Sequence, residues 1–217
     1  MKTELSPDLK AKILEAALSA PSATRHEQQR RAFWYLSGAL AVSALVFMFA
    51  GGVRVSGRSP LLVLGTALGS GALASAVVSV VLSRGRSMIG RSRVTLVSVA
   101  LTAPVALLAW KLSYSARFAG ALEAWPARPG MRCLALTLAI GALPLFALLM
   151  RWKKTDPAHP RAQGLAMGAA VGLSAAALVD LWCPVAHVSH LLLGHVLPIV
   201  LLASLGCWLG ARLLRSS

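Results

Sequence analysis

The chain is 217 residues long, 57% hydrophobic and 13% charged, with 22 Lys and Arg against 7 Asp and Glu for a formal charge of +15. Soluble domains carry about 25% charged residues, so this composition excludes an ordinary water-soluble fold and points to a bilayer. The basic excess lacks the aromatic–basic interleaving of a nucleic-acid surface, and no nucleic-acid partner is expected.

Residues 1–31 form the longest polar stretch, too short to bury a core of its own. Their polarity argues against a cleaved signal peptide, whose apolar region follows a short basic start. Ser6-Pro7-Asp8 reads as a helix start, with Ser6 as N-cap and proline at the first helical position. Leu9, Ile13 and Ala17, flanked by Leu14 and Leu18, share one face, while Lys10, Lys12 and Glu15 point elsewhere. Pro21 disfavours helix at the residue before it and ends the element near Ala20, leaving Ser22–Arg31 as a polar tether. So short an amphipathic helix does not stand alone in water. It either lies on the membrane surface or docks into a partner's groove, and its modest apolar face and nearly balanced charge favour the partner.

Six apolar stretches of bilayer-spanning length follow: Ala32–Val53, Pro60–Leu82, Val94–Tyr114, Cys133–Met150, Ala162–Trp182 and Leu191–Leu214. At 1.5 Å per residue each can cross a hydrocarbon core about 30 Å thick. The expected fold class is therefore all-α, a polytopic membrane protein with a cytoplasmic segment (residues 1–31) and a six-helix transmembrane domain (residues 32–217). Counting Lys111 with the third loop, 16 of the 22 Lys and Arg fall in the N-terminus, loops 2 and 4 and the C-terminus. The positive-inside rule then places both termini in the cytoplasm, with anionic headgroups attracting the basic loops. Gly65 and Gly69, Gly206 and Gly210, and Gly164, Gly168 and Gly172 are spaced for close helix packing. Pro104, Pro144 and Pro198 lie inside spans 3, 4 and 6 and should kink them.

On this topology Cys133 opens span 4 and Cys183 closes span 5 on the same, outer side, an oxidising compartment in bacteria. A disulfide or a shared soft metal ion is open to the pair if the two spans are neighbours, with Cα atoms within about 7 Å. Cys207, inside span 6, reads as ordinary packing. After Cys183, His187, His190 and His195 crowd together with Asp180 close upstream. Thiolate and imidazole suit zinc or copper, and Cys183, His187 and His190 form one candidate ligand set. On a continuous α-helix His195 lies about 140° away from His190 and off that stripe. Enzymatic motifs are missing: no midplane carboxylate pair, no Gly-x-Ser-x-Gly, no His-Glu-x-x-His. No enzyme activity and no resident cofactor are expected, a transient metal ion at the cysteine pair aside.

The second half carries a resemblance. Arg132-Cys133-Leu134, Leu143-Pro144-Leu145, the basic loop Arg151–Arg161, the Gly-rich span ending in Cys183-Pro184 and the closing Leu205-Gly206-x-x-x-Gly210-Ala211-Arg212-Leu213-Leu214 resemble the NrsF-type negative regulators of sigma F, six-span membrane anti-sigma factors of bacteria. The match covers about residues 130–217, and residues 1–130 agree in architecture. The resemblance implies a chain of the bacterial inner membrane that sequesters an extracytoplasmic-function sigma factor. The N-terminal helix would hold it through Leu9, Ile13, Leu14 and Leu18 and release it on a periplasmic-side stress signal. Family members carry a pair of periplasmic-side cysteines implicated in stress sensing, and Cys133 and Cys183 occupy those places; the histidine-rich run is not part of the resemblance. The overall plan is also similar to that of light-responsive six-span anti-sigma factors, which leaves light beside metal and oxidant as the inducing signal. The alternative is a small transporter of two inverted three-span halves, against which no charged or strongly polar residue is read at mid-depth. A purely structural membrane subunit is a third reading.

Overall fold

The computed structural model describes residues 41–53, 59–82, 91–118, 130–153, 158–183 and 185–215, with isolated positions between residues 6 and 39. The chain divides into two units, Met1–Trp34 and Tyr35–Ser217. In the first, Asp8, Ala11, Lys12 and Glu15 are helical with exposed side chains. Its apolar positions Leu9, Ile13, Leu14 and Leu18 lie outside the described residues.

The second unit is all helical among the described residues, with five helices long and apolar enough to cross a membrane. They are α1 (Pro60–Leu82), α2 (Arg93–Ser115), α3 (Met131–Arg151), α4 (Pro160–Asp180) and α5 (Val188–Leu213). Of the first expected span, 41–49 is a helix. Local chemistry sets several ends. Gly51 and Gly52 adopt positive φ and close the helix at 41–49. Ser92 caps α2 by accepting from the Thr95 N–H at 3.2 Å. Pro60 and Pro160 open α1 and α4, where a missing N–H costs nothing.

Helix α4 is the hub. Its side chains are buried nearly all round, and it packs against every other spanning helix. Glycine explains how one helix can have so many neighbours. A Cβ on Gly164 or Gly168 would run into the backbone of Gly206 or Leu202 on α5, so the two helices touch main chain to main chain. Gly65 and Gly69 on α1 work differently. They leave room for the stacked rings of Tyr114 and Trp110 on α2, which donate to the Leu61 and Thr66 carbonyls at 2.9 and 3.3 Å.

The core divides along the bundle. At one end Val81, Leu96, Leu149, Met167 and Leu214 pack together. At the other, Phe47, Cys133, Ile140, Val179, Trp182 and Cys183 do. Phe47 arrives there on the helix at 41–49, where Ser43 and Phe47 are buried four positions apart. Ser43 Oγ fastens that helix to α3 by donating to the Ile140 carbonyl at 2.9 Å. Leu61, Leu68, Val94 and Val105 remain exposed on the outside, the surface a spanning bundle turns to lipid.

Candidate functional site

Three helices deliver the site's groups to one end of the bundle. Cys133 sits in the first turn of α3, and Cys183 follows the last turn of α4. His190 and His195 lie in the opening turns of α5. One ligand atom from each of the four falls within 4.8 Å of all the others, and all four side chains are buried. His190 Nε2 is 3.3 Å from Cys183 Sγ and 3.5 Å from Cys133 Sγ, and both thiols are free. The Cys183 thiol is held below its ordinary range, first by the adjoining Cys133 thiol and then by the nearby imidazoles, against the effect of burial.

The place of His195 corrects the α-helical expectation. Residues Leu192–Val196 form a π-helical turn, in which the Leu197 N–H donates to the Leu192 carbonyl five residues back. Such i→i+5 closure brings residues five apart onto nearly the same face. The His190 and His195 rings consequently stand 5.7 Å apart, centre to centre, instead of on divergent faces. Pro198 supplies a physical reason for the widening. It has no N–H for the Gly194 carbonyl, and its ring crowds that carbonyl in an α-helix.

Close backbone approach completes the placement. Gly130, at φ 91°, lies against Gly194, and a Cβ at 194 would stand 3.0 Å from the Cys133 Cβ. Two glycines therefore let the start of α3 press onto the π-turn.

Behind His195 lies a second polar layer. Asp180 Oδ1 is 2.5 Å from Lys111 Nζ and 3.3 Å from His195 Nδ1. Asp180 Oδ2 accepts from Ser70 Oγ at 2.6 Å. None of these side chains is exposed. Helices α1, α2, α4 and α5 thus meet at one carboxylate.

His187, a member of the expected ligand set, points elsewhere: its Nδ1 is 2.8 Å from Ser189 Oγ at the exposed N-terminus of α5. It precedes the first helical turn and so does not share the inward face of His190. Lys111, whose charge was counted with the loop, is instead buried inside α2 near its C-terminal end. The signal was its spacing, since Lys111 continues the buried stripe Leu96, Ala100, Ala103 and Leu107. Asp180 carried a parallel signal as a lone acid closing an apolar helix.

A family model described as negative regulator of sigma F (NrsF) matches residues 17–215, nearly the whole chain. No curated protein and no solved structure matches it.

Proposed function

The chain belongs to the NrsF family of negative regulators of sigma F, and from that premise we propose that it is a membrane-bound anti-sigma factor. Its cytoplasmic N-terminal helix holds an extracytoplasmic-function sigma factor through Leu9, Ile13, Leu14 and Leu18, away from RNA polymerase. Both termini are cytoplasmic, the bundle sits in the bacterial inner membrane, and the cysteine end faces the periplasm. The role is regulatory, not enzymatic. Release follows chemistry at Cys133 and Cys183, where the signal is an oxidant or a soft metal ion.

One observation carries the coupling between the two ends. Phe47 packs in the same core cluster as Cys133 and Cys183, and its helix is the one that follows the N-terminal segment in the chain. A repacking around the thiols would therefore reach that helix. A signal shifts sigma binding only by the difference in affinity between the two bundle states, and a change of about 5.5 kcal/mol takes occupancy from 99:1 to 1:99.

Affinity capture of the full-length protein from its host in mild detergent, beside a version lacking residues 1–20, tests this reading. A sigma factor retained by the first and lost from the second supports it. No sigma factor in either, with its expression confirmed, overturns it.

A small transporter is the second reading, and the buried Lys111–Asp180 pair favours it, because ionisable groups inside spans often mark solute or proton pathways. Solute flux in reconstituted vesicles that disappears with Lys111→Met/Asp180→Asn, helicity being retained, would support transport over sequestration.

A further inference from the structure

We propose that Cys133, Cys183, His190 and His195 form a closed four-ligand centre for a divalent zinc-class ion, with Asp180 as the positioning residue that aims His195. The inference deepens the reading of this end of the bundle as the sensing end by naming the signal's chemical class.

Geometry comes first. Metal–sulfur bonds of about 2.3 Å and metal–nitrogen bonds of about 2.0–2.1 Å make a tetrahedron whose edges are about 3.3–3.8 Å. The two His190–cysteine separations, 3.3 and 3.5 Å, already have that length. The remaining separations lie within 4.8 Å, so a contraction of at most about 1.5 Å closes the shell. Two sulfurs and two nitrogens in a tetrahedron are the donor set of zinc and its congeners, whereas octahedral oxygen sites suit magnesium or calcium.

An independent observation points to a missing ligand. His195 is fully buried, yet its Nε2 has no hydrogen-bond partner among the described residues. A buried polar nitrogen left without a partner costs about 1–3 kcal/mol. Its other nitrogen is engaged, with Asp180 Oδ1 3.3 Å from Nδ1. When Nδ1 carries the proton and donates it to Asp180, the Nε2 lone pair is committed to the cluster. Metal-binding histidines are typically held in this way by a carboxylate behind them. Ser70 and Lys111 hold the carboxylate in turn, at 2.6 and 2.5 Å.

Charge selects the ion. Lys111 and Asp180 cancel, and two thiolates cancel a divalent cation, so the loaded centre is neutral in a low-dielectric interior. A monovalent ion with both thiolates would leave a buried negative charge, which is costly. The binding step balances: two S–H bonds break, two metal–sulfur bonds form, two protons leave to water, and no electron is transferred.

The test uses full-length protein purified in detergent, with Co²⁺ as the optical probe and Zn²⁺ as competitor. The expected result is one Co²⁺ per chain with the visible bands of a tetrahedral thiolate site, displaced by one equivalent of Zn²⁺. His195→Gln should lose the tetrahedral bands, and His187→Ala should leave them unchanged. Asp180→Asn strands the Lys111 charge and can fail to fold, so Lys111→Met/Asp180→Asn is measured beside it. With helicity retained, that pair should bind Co²⁺ about 10–100-fold more weakly with the same bands. Absence of Co²⁺ binding, binding of Cu⁺ alone, bands unchanged in His195→Gln, or undiminished affinity in the double variant would overturn the proposal. Sigma-factor capture is scored separately and needs no metal, so failure of the anti-sigma reading and failure of this one give different patterns.

Discussion

Lys111 on α2 and Asp180 at the end of α4 meet at 2.5 Å with neither side chain exposed. Removing one partner of a buried pair leaves the other charge uncompensated and costs about 3–5 kcal/mol, whereas removing both is far milder. Lys111→Met alone should therefore destabilise the bundle strongly, and Lys111→Met/Asp180→Asn should recover most of the loss. Unfolding in mixed micelles, arranged as a double-mutant cycle, measures this. Additive losses would mean that the two groups do not stabilise each other.

The contact of Gly130 with Gly194 predicts a change in thiol protection. Alanine at 194 places a methyl 3.0 Å from the Cys133 Cβ and 3.1 Å from the Gly130 carbonyl oxygen. Overpacking of this kind costs about 1–3 kcal/mol, and here it is relieved by moving α3 off the π-turn. Gly194→Ala should make Cys133 and Cys183 react faster with a maleimide in the native state, in a Cys207→Ser background. Labelling as slow as in the parent would show that the end of the bundle tolerates the methyl without opening.

The proposed docking of a sigma factor on the N-terminal helix predicts that one charge on its apolar face suffices to break repression. Ile13→Asp should give constitutive transcription from the sigma-dependent promoter while the membrane bundle still accumulates. Repression equal to the parent's, at equal protein level, would remove Ile13 from the docking face.

Because Cys133 and Cys183 lie in one buried cluster, the proposed sensing role requires Cys133→Ser and Cys183→Ser to show the same induction defect. A reporter followed through exposure to zinc and to a thiol oxidant reads this directly. Clearly different phenotypes would separate the two thiols.

Phe47 offers a test of the route between the ends. Shortening it to Leu leaves the site's ligands in place and alters the one large side chain that the helix at 41–49 sends into the cysteine cluster. Phe47→Leu should keep repression and Co²⁺ binding but reduce induction. Full induction would place the route through another helix.

The spanning helices were legible because bilayer-length apolar runs specify helix and length locally. Pro60–Leu82 has the same bounds as α1, and the other four differ from α2–α5 by three residues at most. Counting spans also sufficed to put Cys133 and Cys183 at one end. The rest of the site was beyond local reading. Lys111 looked like an interfacial base because a single residue's depth depends on which helices surround it, and its partners Asp180 and His195 lie 69 and 84 positions away. His195 looked misdirected because 3.6-residue periodicity was applied across a turn that Pro198 forces wider. Composition and hydrophobic periodicity thus determined that the chain builds a helical membrane bundle and where its helices run. Tertiary packing decided which faces meet, and with them the Cys133–Cys183–His190–His195 centre and the Asp180 layer behind it, because those contacts join helices far apart in sequence through glycine-sized gaps and one widened turn.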